Sequence, residues 1–339
     1  MRAVRLHAVG EPLRVEEVPM PEPAGSEVRV RVSGCGVCHT DLHVVDGTQT
    51  RVELPVTLGH EVAGWVDAVG PAAEGRIAIG DAVVVHGGWG CGECRECHAG
   101  AEQRCERSVA PGFQSDGGYA DAMLVPHPRH LMPLRNLDPV RAAPLADAGV
   151  TPYRAVRRAE RWLVSGARVL LIGCGGLGQF ALQYLRLVPE AGRDLTIGVS
   201  ELSAERVARA RELGADIGLL AGEPESWIDA LGGPADVVLD FVGTDVTLGH
   251  AAAAVGADGL VMLVGEAGGS VPFGFDRLPV ESWLTAVAWG SHDDLRRVVD
   301  LAESGRLRWD VETMPLADAA AAHARLRRGD VAGRLVLVP

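Results

Sequence analysis

An apolar run, Val169-Leu170-Leu171-Ile172, breaks directly into Gly173-Cys174-Gly175-Gly176-Leu177-Gly178 and then into residues spaced as a helix. A buried strand that becomes a helix through G-x-G-x-x-G is compatible with few folds. Gly173 permits the tight turn, Gly175 lets the backbone approach a pyrophosphate, and Gly178 brings helix against strand, while the helix N-terminus attracts negative charge. Gly176 and Leu177 complete the loop. Around it, apolar segments at 168–173, 195–200, 216–220, 236–241 and 259–264, with a sixth at 285–289, alternate with helical spacing over 177–186, 203–213 and 245–254. That alternation predicts an α/β domain with a doubly wound parallel sheet, and Ser203 is the expected cap of its second helix.

The sheet accounts for less than half of the chain. At 339 residues the chain is about twice the ~150 of one domain, so two cores are expected. Its 47% hydrophobic and 23% charged residues describe a globular protein and not a disordered, collagenous or coiled-coil one. Up to Pro144, short Val-rich segments such as 27–32 and 82–86 alternate with Gly/Pro turns, which predicts an irregular, barrel-like β domain. A last Val/Leu strand at 333–338 is expected to return to that domain. The division is therefore 1–146 for the first domain, 147–279 for the doubly wound domain, and 280–339 for the end of its sheet and the return. No internal repeat of fixed period is visible.

All 32 basic residues are arginine, which excludes a lysine Schiff base and a Walker A phosphate loop. Against 45 acidic residues they leave a net charge of −13, which opposes binding to nucleic acid or an anionic membrane and favours a small-molecule partner. Charge interrupts the amino terminus before any apolar run of signal-peptide length, and glycines break the run 169–185, so the expected location is cytoplasmic.

Seven cysteines fall at 35, 38, 91, 94, 97, 105 and 174. An odd, clustered set without a secretion signal points to metal before disulfides. Cys91, Cys94, Cys97 and Cys105 give C-x2-C-x2-C-x7-C, short steps that let four thiolates surround one ion at about 2.3 Å. Such a site is saturated, and its task is to hold a loop with little core of its own. Iron–sulfur clusters use a related run, but the fourth spacing and the lack of a following proline favour zinc. A second set of donors is Cys38, in Gly34-Cys35-Gly36-Val37-Cys38-His39-Thr40-Asp41, with Gly59-His60-Glu61 downstream. From spacing alone these are metal ligands, or else a small buried thiol and a hydrogen-bonded imidazole.

Taken in order, GVCHTDLH, LPVTLGHEVAGWV, GDAVVVHGGWGCGECRECHAG, DGGYADAMLVP and GCGGLGQFALQYL resemble the zinc-dependent medium-chain alcohol dehydrogenases over nearly the whole chain, and among them the bacterial secondary-alcohol dehydrogenases. The resemblance implies a Rossmann domain plus a mainly β, GroES-like catalytic domain carrying a structural zinc lobe. It implies that Cys38 and His60 bind catalytic zinc, with Glu61 near enough to enter the shell. The third ligand falls at Asp147, where many members have cysteine. A carboxylate also binds zinc, at about 2.0–2.2 Å, and makes the site harder. The alternative is that Asp147 caps a helix beginning at Ala148.

Zinc with an open position would lower the pKa of a bound alcohol. The resemblance then implies a proton path from the alcohol to Thr40, through the nicotinamide ribose, to His43 and solvent. Asp41 is expected to orient the ligands from behind, and His39 to approach the cofactor pyrophosphate. On the alternative reading, Thr40 and Asp41 are ordinary first-turn residues and His43 a surface side chain. Glu201, ending the second strand, would grip the adenosine ribose and repel a 2′-phosphate, which favours NAD(H) over NADP(H), whereas Ser200 with Arg206 would tolerate a phosphate. Arg206, Val242, Val264 and Gly265 are the remaining cofactor-binding candidates, and Cys174 is expected to be a small filler. Trp89 and Trp289 are candidate substrate-pocket walls, with core packing as the alternative.

These readings predict a zinc-dependent, NAD-linked oxidoreductase with two zinc ions per chain, acting on a primary or secondary alcohol and its carbonyl, the secondary pair favoured. The rivals are a zinc-free quinone or enone reductase of the same superfamily and a nonenzymatic nucleotide-sensing protein. On family grounds the assembly is a homodimer or homotetramer, with an exposed sixth strand available for pairing.

Overall fold

The computed structural model describes residues 1–187, 194–275 and 277–339. The chain divides into two compact units, 1–150 with 289–339, and 151–288. Among the described residues, no helix is long and apolar enough to cross a membrane.

In the first unit, β1 (Arg2–Leu6), β2 (Arg14–Glu17), β3 (Val28–Gly36), β4 (Val56–Thr57), β5 (Glu61–Val69), β6 (Ala82–Val85), β7 (Ala122–Val125) and β8 (Leu131–Pro133) contribute to two sheets. β1 stands between β2 and β4, while β3 pairs with β5 and β7, and β5 leads through β6 to β8. β3 shows why these segments are strands. Val28, Val30 and Val32 are buried and Arg31 is exposed, the period of two that puts alternate side chains on opposite faces. Each such valine contributes about 1.5–3 kcal/mol relative to exposure. Helix α1 (His39–Asp46) follows at once, from an extended N-cap at Cys38 (φ −115°) to Gly47 in the left-handed region (φ 80°). Helix α2 (Arg95–His98) lies inside the cysteine loop. Asp138 caps α3 (Pro139–Ala142) by accepting from the Val140 and Arg141 amides, and a buried 3-10 turn, Ala143–Ala146, then ends at Asp147.

Helix α4 (Val150–Ala159) spans the division. In the second unit, β9 (Arg168–Ile172), β10 (Thr196–Glu201), β11 (Ile217–Leu220), β12 (Ala235–Asp240), β13 (Val255–Leu263) and β14 (Trp283–Ala286) form one parallel sheet in the order β11-β10-β9-β12-β13-β14. Numbered within the unit, that is the Rossmann order 3-2-1-4-5-6, whose switch point lies between β9 and β12. Helices α5 (Gly178–Leu187), α6 (Ala204–Glu212), α7 (Pro224–Leu231) and α8 (Asp245–Ala254) connect the strands. Ser203 caps α6 as expected, accepting from the Arg206 amide. Helix α7 was not foreseen. The sixth strand lies at 283–286 and not at 285–289: the Val287 amide still bonds to Leu263, but Trp289 adopts φ 50°, which ends the extended run.

From Trp289 the chain rejoins the first unit through α9 (His292–Glu303), β15 (Val311–Pro315), α10 (Ala319–Arg328) and β16 (Arg334–Val338). β16 pairs antiparallel with β3, Val336 opposite Gly36 and Leu337 opposite Cys35, and parallel with β15. The final strand thus completes a sheet of the first unit. The irregular β domain resolves into a three-stranded and a seven-stranded sheet around one apolar core, to which Leu316, Leu326, Leu335 and Leu337 of the returning segment belong.

Candidate metal and cofactor sites

β3 leads Cys38 to the start of α1, His60 immediately precedes β5, and the buried turn after α3 delivers Asp147. One donor atom from each of Cys38, His60, Glu61 and Asp147 lies within 4.8 Å of the others, and all four residues are buried. Asp147 Oδ2 is 3.8 Å from Cys38 Sγ and 3.6 Å from His60 Nε2. Helix α4 begins at Val150, so Asp147 does not cap a helix at Ala148.

Asp41 turns back from the first turn of α1. Its Oδ2 accepts from the Cys38 amide at 2.9 Å and from the Tyr119 hydroxyl at 3.1 Å, and its Oδ1 lies 3.2 Å from His60 Nδ1. With Nδ1–H donating to Asp41, the Nε2 lone pair of His60 faces Asp147 and Cys38. Tyr119 Oη also lies 3.2 Å from His323 Nε2. Glu61 Oε1 accepts from Arg334, which donates as well to Val37 O at 3.2 Å. Burial pushes the Glu61 carboxyl up to about 7 against the opposing Arg334 charge. Glu61 Oε2 is buried without a hydrogen-bond partner among the described residues. Sulfur, nitrogen and oxygen donors converging in a buried place, one oxygen orphaned, fit a zinc ion.

Thr40 Oγ1 lies 3.6 Å from Cys38 Sγ. His43 is half-buried on the same helix; burial lowers its pKa, and its Nδ1 has no partner among the described residues. His39 is exposed at the first position of α1.

Cys91, Cys94, Cys97 and Cys105 also bring their sulfurs within 4.8 Å of one another. Cys97 Sγ lies 3.5 Å from Cys94 Sγ and 3.9 Å from Cys91 Sγ. The Glu93 amide, 3.5 Å from Cys91 Sγ, lowers that thiol, and Arg107 Nη2 approaches it at 3.0 Å. Four convergent sulfurs with thiolate-favouring donors suit a closed zinc site.

In the second unit, Gly173 has φ 87°, and a Cβ on Gly178 would stand 2.2 Å from Gly173 O. The close helix-to-strand approach thus requires glycine. A Cβ on Gly175 would meet nothing within 4 Å, so the backbone of the loop is open there. Glu201 ends β10 with Oε1 2.6 Å from the Cys174 amide and Oε2 3.0 Å from the Leu202 amide, and Arg206 Nη1 stands 3.7 Å from Oε2. Burial, aided by Glu201, pushes the Cys174 thiol up to about 12 and leaves it inert. Past β12 and β13, the Val264 and Gly265 amides both donate to Asp240 O, and a Cβ on Gly265 would stand 2.3 Å from the Val242 carbonyl carbon. These positions gather at the C-terminal ends of β9, β10, β12 and β13, where the fold places its ligands.

The two tryptophans separate. Trp289 stands edge-on to His60 with ring centroids 6.4 Å apart, touches Phe113, and lies over Gly87, where a Cβ would be 2.9 Å from the indole. Trp89 is 5% exposed and packs in the core of the first unit, with Nε1 donating to His86 O at 2.7 Å. Sequence reading missed Tyr119, His323 and Arg334. Their only signal was polarity: Arg334 opens an otherwise apolar strand, and His323 interrupts an alanine-rich helix.

A family model described as alcohol dehydrogenase GroES-like domain matches residues 24–136, and one described as zinc-binding dehydrogenase matches residues 213–337. The chain is 38% identical to the D-arabinose 1-dehydrogenase (NADP(+)) of Saccharolobus solfataricus, over 100% of this chain and 97% of that one. It is 36% identical to an NAD-dependent alcohol dehydrogenase of Sulfurisphaera tokodaii, covering 100% of both. Among solved structures it is similar to the alcohol dehydrogenase of Aeropyrum pernix, with a TM-score of 0.92 at 34% identity and 100% of both chains covered.

Proposed function

The chain belongs to the medium-chain alcohol dehydrogenase family, and from that premise we propose that it is a zinc-dependent enzyme transferring hydride between NAD(H) and an alcohol/carbonyl pair, a secondary alcohol and its ketone favoured. The observation that carries the reading is the convergence of Cys38, His60, Glu61 and Asp147. Cys38, His60 and Asp147 would hold one zinc, and Cys91, Cys94, Cys97 and Cys105 a second. When bound, zinc supplies the Lewis acidity that acidifies an alcohol hydroxyl, and NAD+ supplies the hydride acceptor.

The chain's own residues do the rest. Asp41 keeps His60 in the tautomer that presents Nε2. Thr40 accepts the hydrogen bond of the alcohol hydroxyl and passes its own proton on as that proton arrives. His43, three residues along the same helix, delivers it to solvent, and burial keeps its imidazole neutral and able to accept. Trp289, beside His60, limits the bulk of the carbinol substituents. Glu201 disfavours a 2′-phosphate, which supports NAD(H). A homodimer or homotetramer is part of the reading, supported by β14 at the sheet edge with Trp283 50% exposed.

Zinc per chain in purified wild type and Asp147→Ala, with NADH formation from 2-butanol, 1-phenylethanol, ethanol and D-arabinose, tests this function. About two zinc ions, alcohol oxidation, and loss of one ion together with activity in the variant are expected. One zinc in both proteins would overturn the catalytic site, and turnover of D-arabinose alone would overturn the substrate class.

A further inference from the structure

His86 follows β6, His130 precedes β8, and His292 is the first residue of α9; all three lie in the first unit and outside both donor sets described above. One ring nitrogen of each lies within 4.8 Å of the others. His130 Nδ1 is 3.2 Å from His292 Nε2, closer than the 3.5 to 3.9 Å between donors of the other two sets. His86 and His130 are each 1% exposed. His130 Nε2 is buried with no partner among the described residues, a state that calls for an unseen one.

The surroundings suit ligands held from behind. His86 Nε2 lies 2.8 Å from Gly290 O while its Nδ1 meets the Gly88 amide at 3.2 Å, and the buried Glu102 carboxylate lies 3.8 Å from His292 Nδ1. Metal-binding imidazoles are oriented in this way, one nitrogen on the ion and the other on a carbonyl or carboxylate. Burial lowers His86 and His292 to about 4 and His130 to about 2, so all three imidazoles are neutral at pH 7. Glu102 itself is tied to the cysteine loop and its support, accepting from the Gly90 amide at 2.8 Å and from Arg129 Nε at 3.0 Å.

We propose that His86, His130 and His292 form a third divalent transition-metal site, which braces the turn carrying Trp289. The donors are imidazoles, which suit zinc, nickel, copper or iron. Without a thiolate or carboxylate in its inner set, the site holds its ion less tightly than the other two, and water completes the coordination. His86 grips Gly290 and His292 begins α9, so an ion joining them fixes the segment from Trp289 to His292 from both ends. The site goes beyond the dehydrogenase reading and does not depend on it.

The test is a titration of dialysed, tag-free protein, with whatever zinc it retains, with nickel(II), followed by calorimetry while released zinc is assayed. One further equivalent of nickel per chain, without zinc release and with a higher Tm, is expected. His130→Ala and His292→Gln should lose that equivalent and keep their zinc. Should His130→Ala fail to fold, His292→Gln decides, because Gln at this partly exposed helix start preserves polarity. Absence of saturable nickel, one-for-one exchange for zinc, or a retained equivalent in folded His292→Gln would overturn the proposal.

Discussion

The Tyr119 hydroxyl donates to Asp41 Oδ2 across 3.1 Å, and this joins the β7 side of the first unit to the carboxylate behind His60. Asp41 thereby has three contacts, from the Cys38 amide, from His60 and from Tyr119, which leave its carboxylate one orientation. Replacing it with asparagine keeps the shape and removes the charge that holds the His60 N–H. Asp41→Asn should weaken zinc retention against a chelator by about 10–100-fold, the usual cost of losing such a partner. Tyr119→Phe should show a smaller loss of the same kind. Equal retention in wild type and Asp41→Asn would mean that His60 is oriented by something else.

The Glu61–Arg334 pair lies almost wholly out of water, with side chains 0% and 5% exposed. Removing one partner leaves the other charge or polar group stranded, at a cost of about 3–5 kcal/mol. Arg334→Leu should therefore lower the urea midpoint sharply, and Glu61→Gln/Arg334→Leu should recover part of the loss. A double variant no better than the single one would show that Arg334 acts through packing and its bond to Val37 and not through Glu61.

What the sequence made legible follows from how local each signal is. The four-cysteine run and the glycine loop are encoded within a few residues, where spacing alone dictates geometry. The sheet of the second unit was readable because its central strands are buried on both faces and appear as uninterrupted apolar runs. Asp147, by contrast, joins Cys38 across 109 positions, and only resemblance pointed to it. Tyr119, His323 and Arg334 reach the site from β7's approach, α10 and β16, so no window of sequence contained them together. Helix α9 was overlooked because charged residues dominate its outer face, although Leu295, Val298, Val299 and Ala302 form a clear buried stripe, and α10 because alanine fills both its buried and its exposed positions. Trp89 stayed ambiguous because a tryptophan beside a glycine turn reads equally as wall or core, and only the fold shows its indole N–H bonded to His86 O.

Glu201 bears on cofactor choice because its carboxylate is already fixed by the Cys174 and Leu202 amides. A second anion placed nearby would meet an immobile negative charge. Wild type should show a higher kcat/KM with NAD+ than with NADP+, and Glu201→Ser should shift the ratio towards NADP+ by about tenfold or more, or at least ~1.4 kcal/mol. It should also lose some efficiency with NAD+, because the loop amide of Cys174 loses its acceptor. An unchanged ratio would place the discrimination elsewhere, with Arg206 the next residue to vary.

Glu303 gives a pH dependence whose sign follows from its partners. Its Oε2 accepts from Arg135 Nε at 2.8 Å and its Oε1 from the Asn136 amide at 3.2 Å, while its side chain is 5% exposed. Burial alone would raise its pKa, but the Arg135 and Asn136 amides and the guanidinium outweigh it and hold the carboxyl below the usual range. A carboxyl depressed in the folded state stabilises above its unfolded pKa of about 4.3 and loses that contribution as pH falls through the folded value. Arg135 is 73% exposed, so solvent screens the pair and the contribution at pH 7 is only about 1 kcal/mol. Glu303→Gln should therefore be less stable than wild type in urea at pH 7, and the gap should close as pH falls below about 4. Loss of zinc in acid affects both proteins alike and cancels in the difference. A gap independent of pH would assign the effect to the shape of the side chain and not to its charge.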